Sequence, residues 1–341
     1  MKKLGKILII SVMIFLSGTG FVFSLTEMPD LGELQKATDI FAEEVAKALP
    51  FNSTIGLNWS DAYIGQLIDL PPHFGVGLTI GTTFINIDAM NDLLVLFGTD
   101  LGDVNLGFPL PAYTFDARIG GIILPFDAGF KIGYIPSNIP LLNNFGIDLD
   151  YLLVGADIRY SLLPKKIPLV KLSAGLGVNH LRGGIATSLN SSPQKFSFED
   201  PDGGADYILN IPNPTIGLRW KTTCFELKTQ ASIKLLIFTP YAGFGLSYAK
   251  SQAGFELDSK VNVKQGEDDV DLDTVKDLMS AFGLDNISST GFDSMYDNPA
   301  WNLRMFTGFS LNMAVIKLDI TAMYNFFSSS LGGSVGLRFQ L

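Results

Sequence analysis

Two histidines, His73 and His180, and one cysteine, Cys224, are all the imidazole and thiol chemistry in 341 residues. A histidine-based acid–base or nucleophilic pair needs a positioned partner. His180 falls in phase with an apolar set and His73 lies just before the first strand-like segment, so neither has one. No His or Cys spacing suits a metal. Asp268, Asp269, Asp271 and Asp273 cluster near residues 267–273, but the EF-hand spacing and its final Glu are missing, which makes a solvated acidic loop the simpler reading. No catalytic residue, metal or cofactor is therefore expected. The charges with informative spacing are of another kind. Asp116 and Arg118, and again Asp157 and Arg159, sit two apart, each pair inside an alternating segment, so both members of a pair share one face of a strand.

The elements that must carry these charges alternate throughout. Phe74, Val76, Leu78 and Ile80 alternate with Gly75, Gly77, Thr79 and Gly81; Val335, Leu337, Phe339 and Leu341 alternate with Ser334, Gly336, Arg338 and Gln340. Similar segments occur near residues 113–120, 126–134, 152–160, 170–178, 225–235, 244–248, 309–315 and 318–326. One face of each is apolar and the other holds the charges. By this phase one side receives Arg118, Lys131, Arg159, Lys171, Arg219, Lys228, Lys234 and Arg338, together with Asp116, Asp127, Asp157, Glu226 and Asp319. A soluble sandwich would bury the apolar face against a second sheet. A membrane barrel would turn it to lipid and the charges into the lumen.

The front of the chain favours the membrane. Lys2, Lys3 and Lys6 precede an apolar run at residues 7–16, and Gly18, Gly20 and Ser24 supply a small-residue cleavage region. The organisation expected is a cleaved export signal at 1–24, an N-terminal helical, plug or periplasmic segment at 25–71, and a barrel at 72–341. Residues 1–24 hold three lysines and no acid, so cleavage moves the formal charge from −10 to −13. That acidity argues against a nucleic-acid partner and gives no support for a polybasic membrane patch. Cys224 has no intrachain disulfide partner and reads as a packed small residue.

Connection lengths give the topology. Short turns read at 124–125, 162–167, 238–240 and 316–317. Long connections read at about 86–110, 186–212 and 263–300, with a shorter one at 136–146. Barrels of this kind have short periplasmic turns and long extracellular loops. The consistent solution is an all-β, antiparallel transmembrane barrel of about ten strands. It requires one long strand at 213–236 with a bulge at 222–224, where the phase flips between Leu218/Trp220 and Phe225/Leu227. Twelve strands, recruiting residues 54–59 and one loop strand, is the alternative.

Three stretches have helical spacing instead. Leu31, Leu34, Ala37, Phe41, Val45, Ala48 and Leu49 recur at that period before Pro50. This helix either packs on the barrel mouth or folds into the lumen as a plug. DAMNDLLVLFG at 88–98 and DTVKDLMSAFG at 273–283 resemble each other and fall in loops assigned to one mouth. Their apolar faces cap that mouth or, with Leu93, Leu94, Phe97, Leu278, Met279 and Phe282, line a hydrophobic pocket.

LPKKIPLVKLSAGLGV at 163–178 and FTPYAGFGLSY at 238–248 resemble the turn-and-rising-strand units of Gram-negative and spirochaete outer-membrane barrels. That resemblance implies an outer-membrane location, with outer-membrane lipid and the barrel-assembly machinery as partners. It specifies architecture, not activity. The expected function is structural or a narrow solute passage, with a basic-biased lumen of Arg118, Lys131, Asp157, Arg159, Lys171, Arg219, Glu226, Lys228 and Arg338. Transport of a hydrophobic solute and surface adhesion or ligand binding are the alternatives.

Overall fold

The computed structural model describes residues 31–85, 107–137, 147–164, 169–188, 194–198, 206–211, 215–258, 262–266, 268–270, 287–288 and 291–341. Helix α1 spans Leu31–Ser53. The strands follow: β1 Phe74–Ile85, β2 Phe108–Gly120, β3 Phe126–Ile135, β4 Ile147–Ser161, β5 Val170–Ser188, β6 Gln194–Phe198, β7 Tyr207–Ile211, β8 Thr215–Ile233 and β9 Phe238–Asp258. Next come β10 Asn262–Gln265, β11 Asp268–Val270, β12 Ile287–Ser288, β13 Gly291–Met313, β14 Ile316–Asn325 and β15 Ser330–Gln340.

Ten strands make the wall, antiparallel throughout, in the order β1-β2-β3-β4-β5-β8-β9-β13-β14-β15. β15 returns to β1, from Gly75 opposite Gln340 to Thr83 opposite Gly332, and closes the barrel. Closure gives every wall strand a partner on both sides around the ring, the condition for crossing a bilayer with strands. The outward positions are apolar and exposed: Val76, Ile80, Phe115, Phe130, Ile158, Leu176, Phe225, Phe244, Val335 and Leu337 among them. The inward positions are polar and buried. This inversion of the soluble pattern marks an outer-membrane β-barrel.

The wall is uneven in height. About 9–11 tilted residues cross a bilayer. β3 and β14 have 10 and β15 has 11, while β5 and β8 have 19, β9 has 21 and β13 has 23. The tall side therefore rises beyond the membrane on the face of the long connections. β6, β7, β10 and β11, from the two connections flanking β8 and β9, form a second, four-stranded sheet.

Several sequence expectations change in detail. β8 pairs without interruption along both neighbours, so the bulge at 222–224 is absent. Leu218 and Trp220 instead pack inward on the core around α1, which keeps one phase along the whole strand. Arg219 consequently points outward, its side chain 63% exposed and paired with Glu256, and is not a lumen residue. Lys234 is exposed beside a short turn. Phe238 and Ile316 already pair in strands, so those turns sit earlier, at 234–237 and 314–315, where Leu236 and Ala314 take positive φ. Residues 291–300 belong to β13 and not to a loop. Residues 54–59 are not a wall strand. The helical repeats at 88–98 and 273–283, and with them Leu93, Leu94, Phe97, Leu278, Met279 and Phe282, lie outside the described residues, as do Asp271 and Asp273.

Candidate functional site: the occupied lumen

Inside the wall the chain has placed its own N-terminal segment, in two tiers. The tier nearer the long connections is apolar. Here Ala37, Phe41, Val45, Ala46 and Leu49 of α1 are buried against Leu153, Leu181, Ala253, Phe306 and Met323, with Leu218, Trp220 and Phe255 packed alongside. Phe41 meets Phe255 at 5.8 Å between ring centroids. Each fully buried Phe, Val, Leu or Met side chain among these contributes roughly 1.5–3 kcal/mol by leaving water. α1 packs chiefly on β8, β9 and β13, the tall side of the wall. Its residual polar stripe carries Lys47, which pairs with Glu43 at 2.9 Å and Glu44 at 2.8 Å.

The helix does not stop at Pro50 as its sequence suggests. It runs one turn further, and the last carbonyls, which the helix end leaves open, find new donors. Ser53 Oγ donates to Pro50 O at 2.7 Å and Thr54 Oγ1 to Phe51 O at 2.7 Å. Lys131 Nζ then donates to the carbonyls of Ser53 (2.7 Å) and Ile55 (2.6 Å).

Residues 54–66 descend through the second, ionic tier, and the wall satisfies their backbone almost residue by residue. Leu57 N donates to Asp116, Ser60 N to Asp319, Ala62 N to Ser232 Oγ and Ile64 N to Asp127. Gln230 Nε2 donates to Trp59 O, Arg159 to Asp61 O and Lys171 to Tyr63 O. Gly56 takes φ +85°, and a Cβ there would stand 2.3 Å from Thr114 Oγ1. Only glycine fits that crossing. The Trp59 ring lies between two guanidinium groups, with Arg338 at 4.7 Å and Arg118 at 5.7 Å from its centroid.

Three ionic clusters surround this thread. Arg118 bridges Asp127 (2.5 Å) and Asp157 (2.7 Å); Arg159 also holds Asp127 (2.8 Å), and Lys228 pairs with Asp157. Arg304 grips Glu226 at 2.6 Å. Asp61, from the thread itself, takes Lys317 at 2.7 Å and Arg338 at 3.1 Å, while Arg338 also holds Asp319 at 2.6 Å. Charges this buried persist only when paired. A small void beside Asn58, Lys131 and Glu226 is about 10 Å³.

Arg118, Lys131, Asp157, Arg159, Lys171, Glu226, Lys228 and Arg338 therefore all face the lumen, and what they bind is the protein's own chain. Sequence reading missed Asp61, Arg304 and Lys317. Asp61 lies in a stretch without periodicity, and Lys317 falls where the sequence reads as a turn. Arg304 had a signal, since Asn302, Arg304 and Phe306 alternate with Leu303 and Met305. His73 sits at the rim of the short turns, its Nδ1 3.3 Å from Leu341 O. His180 faces outward, with Nδ1 2.9 Å from Thr223 Oγ1.

The profile of the Lsa36-like family matches residues 96–341. The chain belongs to the Lsa36-like family. The match covers the wall from β2 onward and leaves α1, the thread and β1 outside it. No curated protein matches the chain. Among solved structures it is similar to the outer-membrane protease OmpT of Escherichia coli, at 11% identity and TM-score 0.39, over 80% of this chain and 97% of that one. The translocator domain of the autotransporter NalP from Neisseria meningitidis aligns at 11% identity and TM-score 0.35, over 91% and 100%. The attachment invasion protein Ail of Yersinia pestis aligns at 6% and 0.28, over 79% and 97%.

Proposed function

We propose that this chain is a sealed outer-membrane barrel, a structural protein that holds its long connections above the membrane and performs no catalysis. It is exported through a signal at residues 1–24, removed after Ser24, and inserted by the barrel-assembly machinery. The observation that carries this reading is residues 54–66, hydrogen-bonded at successive levels to wall residues that would otherwise line a passage. A narrow passage for anionic solutes would have to displace Trp59 and Asp61 first. Transport of a hydrophobic solute would compete with α1 for the apolar tier. Surface ligand binding remains compatible with a sealed barrel, because the second sheet of β6, β7, β10 and β11 offers a platform that leaves the lumen closed. Planar-bilayer recording of the refolded, signal-free protein tests the reading. Silence is expected; steady steps of nanosiemens size from the intact protein would overturn it.

A further inference from the structure

The outward face of the tall wall has a sharp chemical boundary, and the strand register lines it up across four strands. Val178, Phe225, Tyr248 and Trp301 form one lateral row. It is apolar and faces lipid; Phe225 is 61% and Trp301 58% exposed, and the Tyr248 and Trp301 rings lie 5.3 Å apart. Toward the long connections the next row is His180, Thr223, Lys250 and Pro299. The row after that is Arg182, Lys221, Gln252 and Asp297. Below the boundary, outward Leu176, Leu227, Leu246 and Met305 continue the lipid-facing surface.

Arg182, Lys221 and Lys250 are exposed, and Arg182 stands directly opposite Lys221 across β5 and β8. Like charges in that relation destabilise a sheet. No carboxylate among the described residues forms an ion pair with any of the three. The acids of this face lie higher or to one side. Glu256 is engaged by Arg219, and Asp297 accepts from Gln252 at 2.7 Å. Asp148 and Asp150 of β4 sit opposite Ala186 and Gly184, beyond Arg182. The cations thus form the lower edge of the polar region, immediately above an aromatic row. That is the depth at which lipid phosphates sit and at which long basic side chains reach for them.

We propose that Arg182, Lys221 and Lys250 form a binding site for the anionic phosphate headgroup of an outer-leaflet lipid, whose acyl chains lie over Val178, Phe225 and Tyr248. The anion offsets the repulsion between Arg182 and Lys221 and ties the tall wall to its surrounding lipid.

The test is native mass spectrometry of the refolded full-length barrel in neutral detergent, titrated with phosphatidylglycerol, phosphatidylcholine or inorganic phosphate. Phosphatidylglycerol should be retained at least about tenfold more tightly than phosphatidylcholine, and inorganic phosphate should not displace it. The triple variant R182Q/K221Q/K250Q should lose about a hundredfold in affinity. The variant K36Q/K234Q, which removes exposed lysines elsewhere, should keep it. Equal retention of the two lipids, equal loss in both variants, or displacement by inorganic phosphate would overturn the proposal. Should the triple variant not fold, K221Q alone decides. Its urea midpoint should rise in phosphatidylcholine vesicles, where repulsion is relieved, and fall in phosphatidylglycerol vesicles. A shift of one sign in both overturns the site.

Discussion

Asp61 is the carboxylate through which the thread is fastened to the wall, held between Lys317 and Arg338 with its own backbone carbonyl taken by Arg159. Removing one member of a buried ionic group leaves its partners charged and unpaired, which costs about 3–5 kcal/mol. Asp61→Leu should therefore lower the unfolding free energy of the refolded protein, read from urea melts, by an amount in that range. Adding Lys317→Met should restore part of the loss, because one uncompensated cation then disappears. An additive double variant would mean the cations find water or other acids. Residue-scale reading of the sequence located most of this network, since Arg118, Asp157, Arg159 and Arg338 sit on strands whose phase is unambiguous. It failed at Arg219 for a physical reason. The period-two argument equates apolar with outward, and Leu218 and Trp220 are apolar because they face α1 instead of lipid.

The same reversal governs the elements. A helix inside a barrel converts the upper lumen from polar to apolar, so Leu153, Leu181 and Ala253, inward by the phase of their strands, are apolar where the lower lumen carries charge. Neither the helix nor the strands show this alone; it exists only where they meet. The tall strands then have a purpose in packing, since β8, β9 and β13 rise alongside α1 and give it a wall to lean on. Leu67 N donates to Gly121 O at the short-turn rim, whereas Phe41 sits with Phe255 near the far end of β9. α1 accordingly points its beginning toward the face of the long connections. A cysteine at Lys36, which is exposed, should react with a membrane-impermeant maleimide on intact cells. One at Lys234, beside a short turn, should react only after permeabilisation. Native Cys224 is buried and should add no background. Labelling with the opposite preference would invert the orientation of the barrel.

At the scale of the whole molecule, the balance of lumen charge depends on the thread. The described wall contributes Arg118, Lys131, Arg159, Lys171, Lys228, Arg304, Lys317 and Arg338 against Asp116, Asp127, Asp157, Glu226 and Asp319. The thread adds Asp61 and a set of backbone carbonyls that accept from those same cations. A barrel deprived of it keeps the wall's excess of cations and replaces the carbonyls with water. Charge lining a wet constriction selects the ion that crosses it. The thread can be cut after folding, because Ile68 and Leu70 are 64% and 96% exposed just outside the short-turn rim. A protease site inserted there leaves the intact fold to form first. After cleavage and mild urea to release residues 25–66, the barrel should conduct, and in a salt gradient its reversal potential should show preference for the anion. Retained strand signal with continued silence would mean the walls close over the void, and cation preference would mean the inward lysines and arginines do not line the path.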